Sequence, residues 1–188
     1  MVRLVHSVGP AIGVVGALAV ALVVPPLLSA AVPTRETEVA AGTSITLTAT
    51  GVGSVHGTDP ANAVVFRVPE QMRQIATGDE SIAVLKSDIG EQRLSVSVVD
   101  GITDFDTAAP RMLLPLRAAG VTVRFDGGSV EAGDFRGLTC VLPDTAGGVC
   151  AVAYSGDVAV TVTVTGPTRE AGYQMIADVL NSSKAVEA

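Results

Sequence analysis

The stretch Val158–Thr165, which reads VAVTVTVT, is the clearest strand signal in the chain. Its period of two places Val160, Val162 and Val164 on one face and the threonines on the other. A strand of this kind buries its apolar face only when a second layer covers that face. The stretch therefore predicts a sheet with one covered face and one wet face.

A helix is predicted directly after this strand, with Thr168 as its N-cap following Pro167. The apolar residues of this helix fall at i, i+3, i+4 and i+7: Tyr173, Ile176, Ala177 and Leu180. An apolar stripe along one side of a helix needs a surface to cover. We expect that surface to be the valine face of the sheet.

Two cysteines, Cys140 and Cys150, flank a loop at residues 143–148 symmetrically. Strands predicted at residues 138–142 and 149–154 would form a hairpin that places the cysteines opposite each other, close enough to bridge. A metal site or a redox pair is the alternative, but metal-binding cysteines usually lie about two to four residues apart, and no CxxC motif is present. The pair predicts a structural disulfide, which is typical of an oxidising exterior.

Other segments predict further strands. We expect strands at residues 45–50, 64–68, 82–85 and 93–99, and a hairpin of residues 121–125 and 128–132 around Asp126-Gly127-Gly128. For residues 69–76 we expect a single helical turn or an irregular edge.

One more helix is predicted at residues 108–119. Either Asp106 or Thr107 can cap its start, Pro115 should kink it, and Gly120 should end it. The fold class that follows is α+β: an antiparallel sheet of about six to eight strands with two helices packed on one face and a wet outer face rich in Thr, Ser and Arg.

The N-terminal region predicts a membrane segment. No charged residue occurs between Arg3 and Arg35, and residues 8–32 reach the roughly 20 apolar residues of a transmembrane helix. A secretory signal cleaved near Ala31 is the alternative, because a basic start, an apolar centre and small residues are all present. Arg3 on the short side places the rest of the chain outside the cytoplasm in either case.

The sequence therefore divides into three parts. Residues 1–33 are the predicted membrane anchor or signal peptide, residues 34–43 a short tether, and residues 44–188 the extracytoplasmic α+β domain. There is no Cys near residue 30, so we do not expect a lipid-modified N-terminus. The expected location is the cell membrane, with a single pass, or the exterior after cleavage.

Composition limits the partners. The net charge is −7 and only 3% of the residues are aromatic, with no Trp. An acidic domain without a basic stripe disfavours nucleic acid and anionic lipid head groups as partners. Scarcity of aromatic residues disfavours aromatic-lined sugar sites and base-stacking sites.

The acidic residues Asp100, Asp104 and Asp106 are the best candidates for a cation site. The calcium loop of EF-hand proteins needs oxygen ligands at alternate positions, and that pattern breaks at Thr107-Ala108. Capping and favourable interaction with the helix dipole at a helix start explain Asp104 and Asp106 without a metal. We therefore predict no metal site. The Gly51-x-Gly53 spacing lacks the helix that a dinucleotide loop requires, so we expect turn glycines and no cofactor.

A hydrolytic triad would have to use His56 with a serine such as Ser54 or Ser155. No GxSxG or SxxK motif is present, and a solvated loop histidine is the simpler interpretation of His56. The sequence therefore predicts no catalytic residue.

The order of strands, a helix at residues 108–119, two hairpins, the strand Val158–Thr165 and a C-terminal helix resembles the PsbP-like sandwich of exported actinobacterial envelope proteins such as the LpqN lipoprotein group. This resemblance implies a non-enzymatic accessory of the envelope. We therefore expect a binding or assembly module of the bacterial cell envelope, held in the membrane by residues 8–32, with an envelope protein or a lipid as its partner. A small secreted hydrolase acting on envelope material is the alternative.

Overall fold

The valine and threonine strand lies in the middle of a large sheet. The computed structural model describes residues 36–51, 62–87 and 91–186. Its strands are β1 Glu36–Val39, β2 Ser44–Thr48, β3 Thr50–Gly51, β4 Ala63–Arg67, β5 Met72–Ile75, β6 Ile82–Ser87, β7 Arg93–Asp100, β8 Arg124–Ala132, β9 Phe135–Val141, β10 Val149–Ser155, β11 Val158–Thr165 and β12 Lys184–Val186. The helices are α1 Phe105–Met112, α2 Leu114–Ala118 and α3 Arg169–Ser182.

Most of these strands form one sheet in the order β1-β5-β6-β7-β11-β10-β9-β8, whose neighbours are all antiparallel. The short strand β3 adds to β7 in parallel. A second antiparallel sheet has the order β12-β4-β2. The predicted α+β class is confirmed, and the second sheet was not expected.

The inner face of the large sheet carries the main core, which we call the inner core. Val160 and Val162 of β11 and Val96 of β7 are completely buried there, as the alternation predicts. Phe66 from the second sheet and Ile176 from α3 pack against them in the same cluster. The second sheet and α3 therefore together cover the inner, valine-rich face of the large sheet.

A smaller cluster, which we call the outer core, occupies the opposite face. Cys140, Cys150 and Val152 pack there against Ala109 of α1 and Leu113. The prediction that both helices pack on one face is therefore wrong, because α1 and α2 lie opposite α3. Strand β10 shows why: its residues 149–153 are buried on both faces, and a strand covered on both sides reads as a continuous apolar run.

The predicted helix at residues 108–119 is in fact two helices. Asp104, and neither Asp106 nor Thr107, is the N-cap of α1, because its carboxylate accepts a hydrogen bond from the Thr107 backbone N–H. Pro115 lies in the first turn of α2, where its missing N–H costs nothing. The expected kink is thus a complete break at Leu113, and Gly120 follows with a positive φ of 80°.

Two other local predictions are wrong. The expected hairpin around Asp126-Gly127-Gly128 is the single strand β8, which pairs with β9 on both sides of an irregularity where the register shifts between Phe125 and Ser129. Residues 69–76 contain strand β5, which pairs with β1 and β6, in place of the expected helical turn or irregular edge. The stretch expected to be a tether also contains β1, which pairs with β5 at the edge of the sheet.

The C-terminal helix begins as predicted. The Thr168 hydroxyl accepts a hydrogen bond from the Ala171 backbone N–H, and Ile176 and Leu180 are buried. A Cβ at Gly172 would lie 2.5 Å from Val149 Cγ2, so glycine lets α3 approach the sheet closely. Among the described residues, none of the helices has the length and apolar character needed to cross a bilayer. The predicted membrane segment lies outside the described residues.

Candidate functional site

A groove of about 530 Å³ opens on the outer face of the large sheet, beside α1. We call it the outer groove. Its floor comes from β6, β7 and β11, one wall comes from α1 and the start of α2, and the loop between β7 and α1 closes one end. Its lining includes Ile82, Ser97, Val99, Thr161, Ala108, Arg111, Met112 and Pro115, with Asp79 and Asp104 at the closed end.

Register explains where the groove lies. Ile82, Ser97 and Thr161 are neighbours across three strands and point to the outer face. Ser and Thr are small, so they leave space that larger side chains would fill. Helices α1 and α2 pack over β9 and β10, whose residues form the outer core with them. They do not cover the outer face of β6, β7 and β11, so the space beside α1 stays open.

The lining of the outer groove is mostly apolar. Ile82, Val99 and Met112 supply aliphatic and thioether surface, and Ser97 and Thr161 supply hydroxyls on the floor. A concave, mainly apolar site of a few hundred Å³ with few polar groups is typical of small-molecule sites. The arrangement can therefore bind an apolar group, and its polar groups can orient that group.

Two carboxylates define the closed end of the outer groove. The hydrogen bonds from the Ser81 hydroxyl, 2.7 Å, and the Ser81 N–H, 2.9 Å, lower the pKa of Asp79. The hydrogen bonds from the Thr107 hydroxyl, 2.6 Å, and the Thr107 N–H likewise lower the pKa of Asp104. Both carboxylates are therefore ionised at neutral pH.

Among the described residues that line the outer groove, Arg111 is the one cation, and its side chain is exposed. Within the described part of the chain, no salt bridge or side-chain hydrogen bond involves its guanidinium. It lies seven residues after Asp104, which corresponds to about 10 Å along a helix. The groove is thus negative at its closed end, apolar along its length and positive near Arg111.

An aromatic stack borders the same end of α1. The rings of Phe105 and Tyr154 are stacked with centroids 4.3 Å apart, and the Arg136 guanidinium lies 5.1 Å from the Tyr154 centroid. Ser155, which the sequence offered as a hydrolytic serine, lines a hollow of about 380 Å³ beside this stack. The stack fixes the start of α1 on β10.

A hydrogen-bonded network joins α3 to the irregular part of β8. The Asp126 carboxylate accepts hydrogen bonds from the Tyr173 hydroxyl at 2.5 Å, the Thr139 hydroxyl at 2.6 Å and the Gly128 N–H at 3.0 Å. Burial raises the pKa of Asp126, but the three donors outweigh it and the pKa is lowered. Burial and the bond to Asp126 raise the pKa of Tyr173 to about 12.

The two predicted site residues, Cys140 and Cys150, face each other across β9 and β10 and form a disulfide, with Cα atoms 4.8 Å apart. The predicted pair is confirmed. Both cysteines are completely buried in the outer core beneath α1. The disulfide therefore supports the helix that forms one wall of the groove.

Two of the aspartates that the sequence offered as candidates for a cation site make local contacts. Asp100 accepts a hydrogen bond from the Asn62 side chain at 3.0 Å, and Asp104 caps α1. Within residues 36–51, 62–87 and 91–186, no three His, Cys, Asp or Glu side chains are grouped to hold a metal ion. His56 and Ser54 lie outside the described residues.

No protein-family model matches the sequence, and no curated protein matches it. Sequence reasoning missed the outer groove and Arg111. The only local signal was the row of small hydroxyl residues on the outer face of β7 and β11, which we interpreted as a wet surface.

Proposed function

We infer that this chain is a membrane-anchored, extracytoplasmic binding module of the bacterial cell envelope, without enzymatic activity, and that its ligand occupies the outer groove. The groove is the observation that carries this inference. It has the size and the mostly apolar lining of a ligand site.

Three further features support the proposal. The Cys140–Cys150 disulfide is typical of proteins outside the cytoplasm. The apolar residues 8–32 are long enough for an anchor. The resemblance in element order to exported envelope accessories implies the same class of function.

The test is native mass spectrometry of the full chain, gently extracted from the membranes of its own host. We expect a mass that includes residues 1–31 and a bound small molecule. Ala108→Phe should remove that small molecule, because the new ring fills the groove from α1. Ser97→Leu should do the same from the floor, which guards against one variant failing to fold.

Ala118→Phe is the matched control, since Ala118 is exposed at the end of α2 and does not line the groove. It should retain the small molecule. A bare wild-type mass, or a ligand retained by both groove variants, would contradict the proposed site. A chain beginning at Val32 would contradict the anchor.

A further inference from the structure

We propose that the ligand of the outer groove is a single-chain amphiphile ending in a carboxylate, and that Arg111 binds this carboxylate while the alkyl chain lies along the apolar floor. This inference rests on the proposed function, because it assigns the ligand class of the same groove. It is carried by the distribution of charge along the groove.

The apolar length of the groove fits an alkyl chain. Ile82 and Val99 on the floor and Met112 on the wall present only hydrocarbon and thioether surface. Burying an alkyl chain against such surface gains about 0.8 kcal/mol per CH₂. A chain needs no hydrogen-bond partner along its length, which matches a lining whose exposed surface is mostly apolar.

Arg111 supplies the one favourable site for a negative charge. A guanidinium matches a planar carboxylate with two parallel hydrogen bonds. Arg111 lies in the last turn of α1, where the helix dipole contributes a partial charge of about −0.5. The full positive charge of the guanidinium is larger, so the electrostatic potential beside Arg111 favours an anion. The Arg111 side chain has no anionic partner among the described residues.

The opposite end of the groove excludes the same head group. Asp79 and Asp104 are both ionised there, and an anion beside them would be repelled. This polarity orients the ligand, with its carboxylate at Arg111 and its methyl end toward the closed end of the groove. One guanidinium balances one carboxylate, whereas a phosphate monoester carries a charge of about −1.5 to −2 and would leave an excess of negative charge.

The experiment uses the full chain in membranes and two photoreactive probes: a diazirine-bearing octanoic acid, whose chain matches the distance of about 10 Å along α1 between Arg111 and Asp104, and its methyl ester. Labelled peptides are located by mass spectrometry while the probe concentration is varied. We expect the acid to label peptides that contain Val99 and Met112. Arg111→Gln should raise the half-saturating concentration of the acid about threefold, because Arg111 is exposed and a solvent-exposed charged contact contributes modestly.

Arg124→Gln is the control, since Arg124 is an exposed arginine of β8 outside the groove. It should leave labelling by the acid unchanged, and labelling by the ester should be the same in all three proteins. Equal labelling by the acid in wild type and Arg111→Gln would overturn the carboxylate contact and leave the groove as the binding site. Labelling by neither probe in the groove would overturn the proposed function as well.

Discussion

At the scale of single residues, the bond between Tyr173 and Asp126 is the contact with the clearest dependence on pH. A pKa of about 12 for Tyr173 means that the folded protein keeps this proton at pH values where the unfolded chain loses it. The contact therefore stabilises the fold below the unfolded value of about 10, and the stabilisation is lost as pH rises through about 12. For Asp126, whose pKa is lowered, stabilisation is lost as pH falls from about 4.

We predict that Tyr173→Phe lowers the free energy of unfolding by about 1 kcal/mol at neutral pH, because the partly exposed Asp126 carboxylate loses one donor. Urea unfolding measures this change. The chain has only two tyrosines and no Trp, so ultraviolet absorbance reports phenol ionisation directly. The step near pH 12 should vanish in the variant.

Asp126→Asn tests the same contact from the other side. Without the negative charge, the Tyr173 step should move toward its ordinary value near pH 10. A Tyr173 step that stays near pH 12 in Asp126→Asn would show that burial alone sets this pKa.

At the scale of secondary-structure elements, the disulfide between β9 and β10 closes a short loop. Such a crosslink stabilises by about 3 kcal/mol in the chain-entropy model. We predict that reduction lowers the free energy of unfolding of the wild type by this amount, whereas Cys140→Ala/Cys150→Ala unfolds identically with and without reductant. Guanidinium unfolding in both conditions checks the prediction, and an equal midpoint for reduced and oxidised wild type would contradict it.

The same hairpin depends on a glycine. A Cβ at Gly137 would lie 2.0 Å from the backbone oxygen of Val152 on β10. We predict that Gly137→Ala costs about 3 kcal/mol, because two paired strands must move apart. Thermal unfolding measures this cost.

Gly166→Ala is the comparison for Gly137→Ala. Its Cβ would meet only the side chain of Gln92, at 3.2 Å, and that flexible side chain can move aside. We expect a change below about 1 kcal/mol. Equal costs for the two variants would show that strand separation at Gly137 is not the cause.

Elements with a complete local signal could be predicted from the sequence. The alternation of valine and threonine in Val158–Thr165 predicts strand β11 and its buried face, and the N-cap Thr168 predicts the start of α3. The hairpin predicted at Asp126-Gly127-Gly128 is wrong because the same local pattern occurs in turns and in β-bulges. In both, an aspartate carboxylate accepts a hydrogen bond from the backbone N–H two residues later, and a glycine follows the aspartate. Only pairing with β9 distinguishes the two.

The candidate site could not be predicted because it is a product of packing between distant elements. Ser97, Thr161 and Arg111 come from two strands and a helix, and nothing in their local sequence brings them together. The sequence carried one signal that helices cover both faces of the large sheet. This signal was the continuous apolar run of β10, whose residues are buried on both faces. The Cys140–Cys150 disulfide, by contrast, could be predicted because a hairpin of two neighbouring strands is enough to place the cysteines opposite each other.

At the scale of the whole molecule, the described domain has a protected centre and weaker edges. Strand β11 has a partner on each side and packs in the inner core. Among the described strands, β1 pairs only with β5, through four residue pairs, and buries Val39 in the inner core, and β12 is short with all residues exposed. Local opening should therefore be easiest at these two edges.

We predict that amide hydrogen exchange is slowest in β11 and β7 and fastest in β1 and β12. Exchange measured by mass spectrometry of short peptides resolves these strands. A β1 peptide that exchanges as slowly as β11 would contradict the prediction.

The position of β1 at the edge of the sheet determines how the domain would respond to a pulling force. If residues 8–32 hold the chain in a membrane, any pull on the domain enters through its N-terminal strand, which is joined to the sheet by a single short ladder. Tension would then peel β1 away pair by pair while β11, the disulfide and the groove beside α1 bear little load. Under such a pull β1 would separate from the sheet first, and the outer groove would keep its shape.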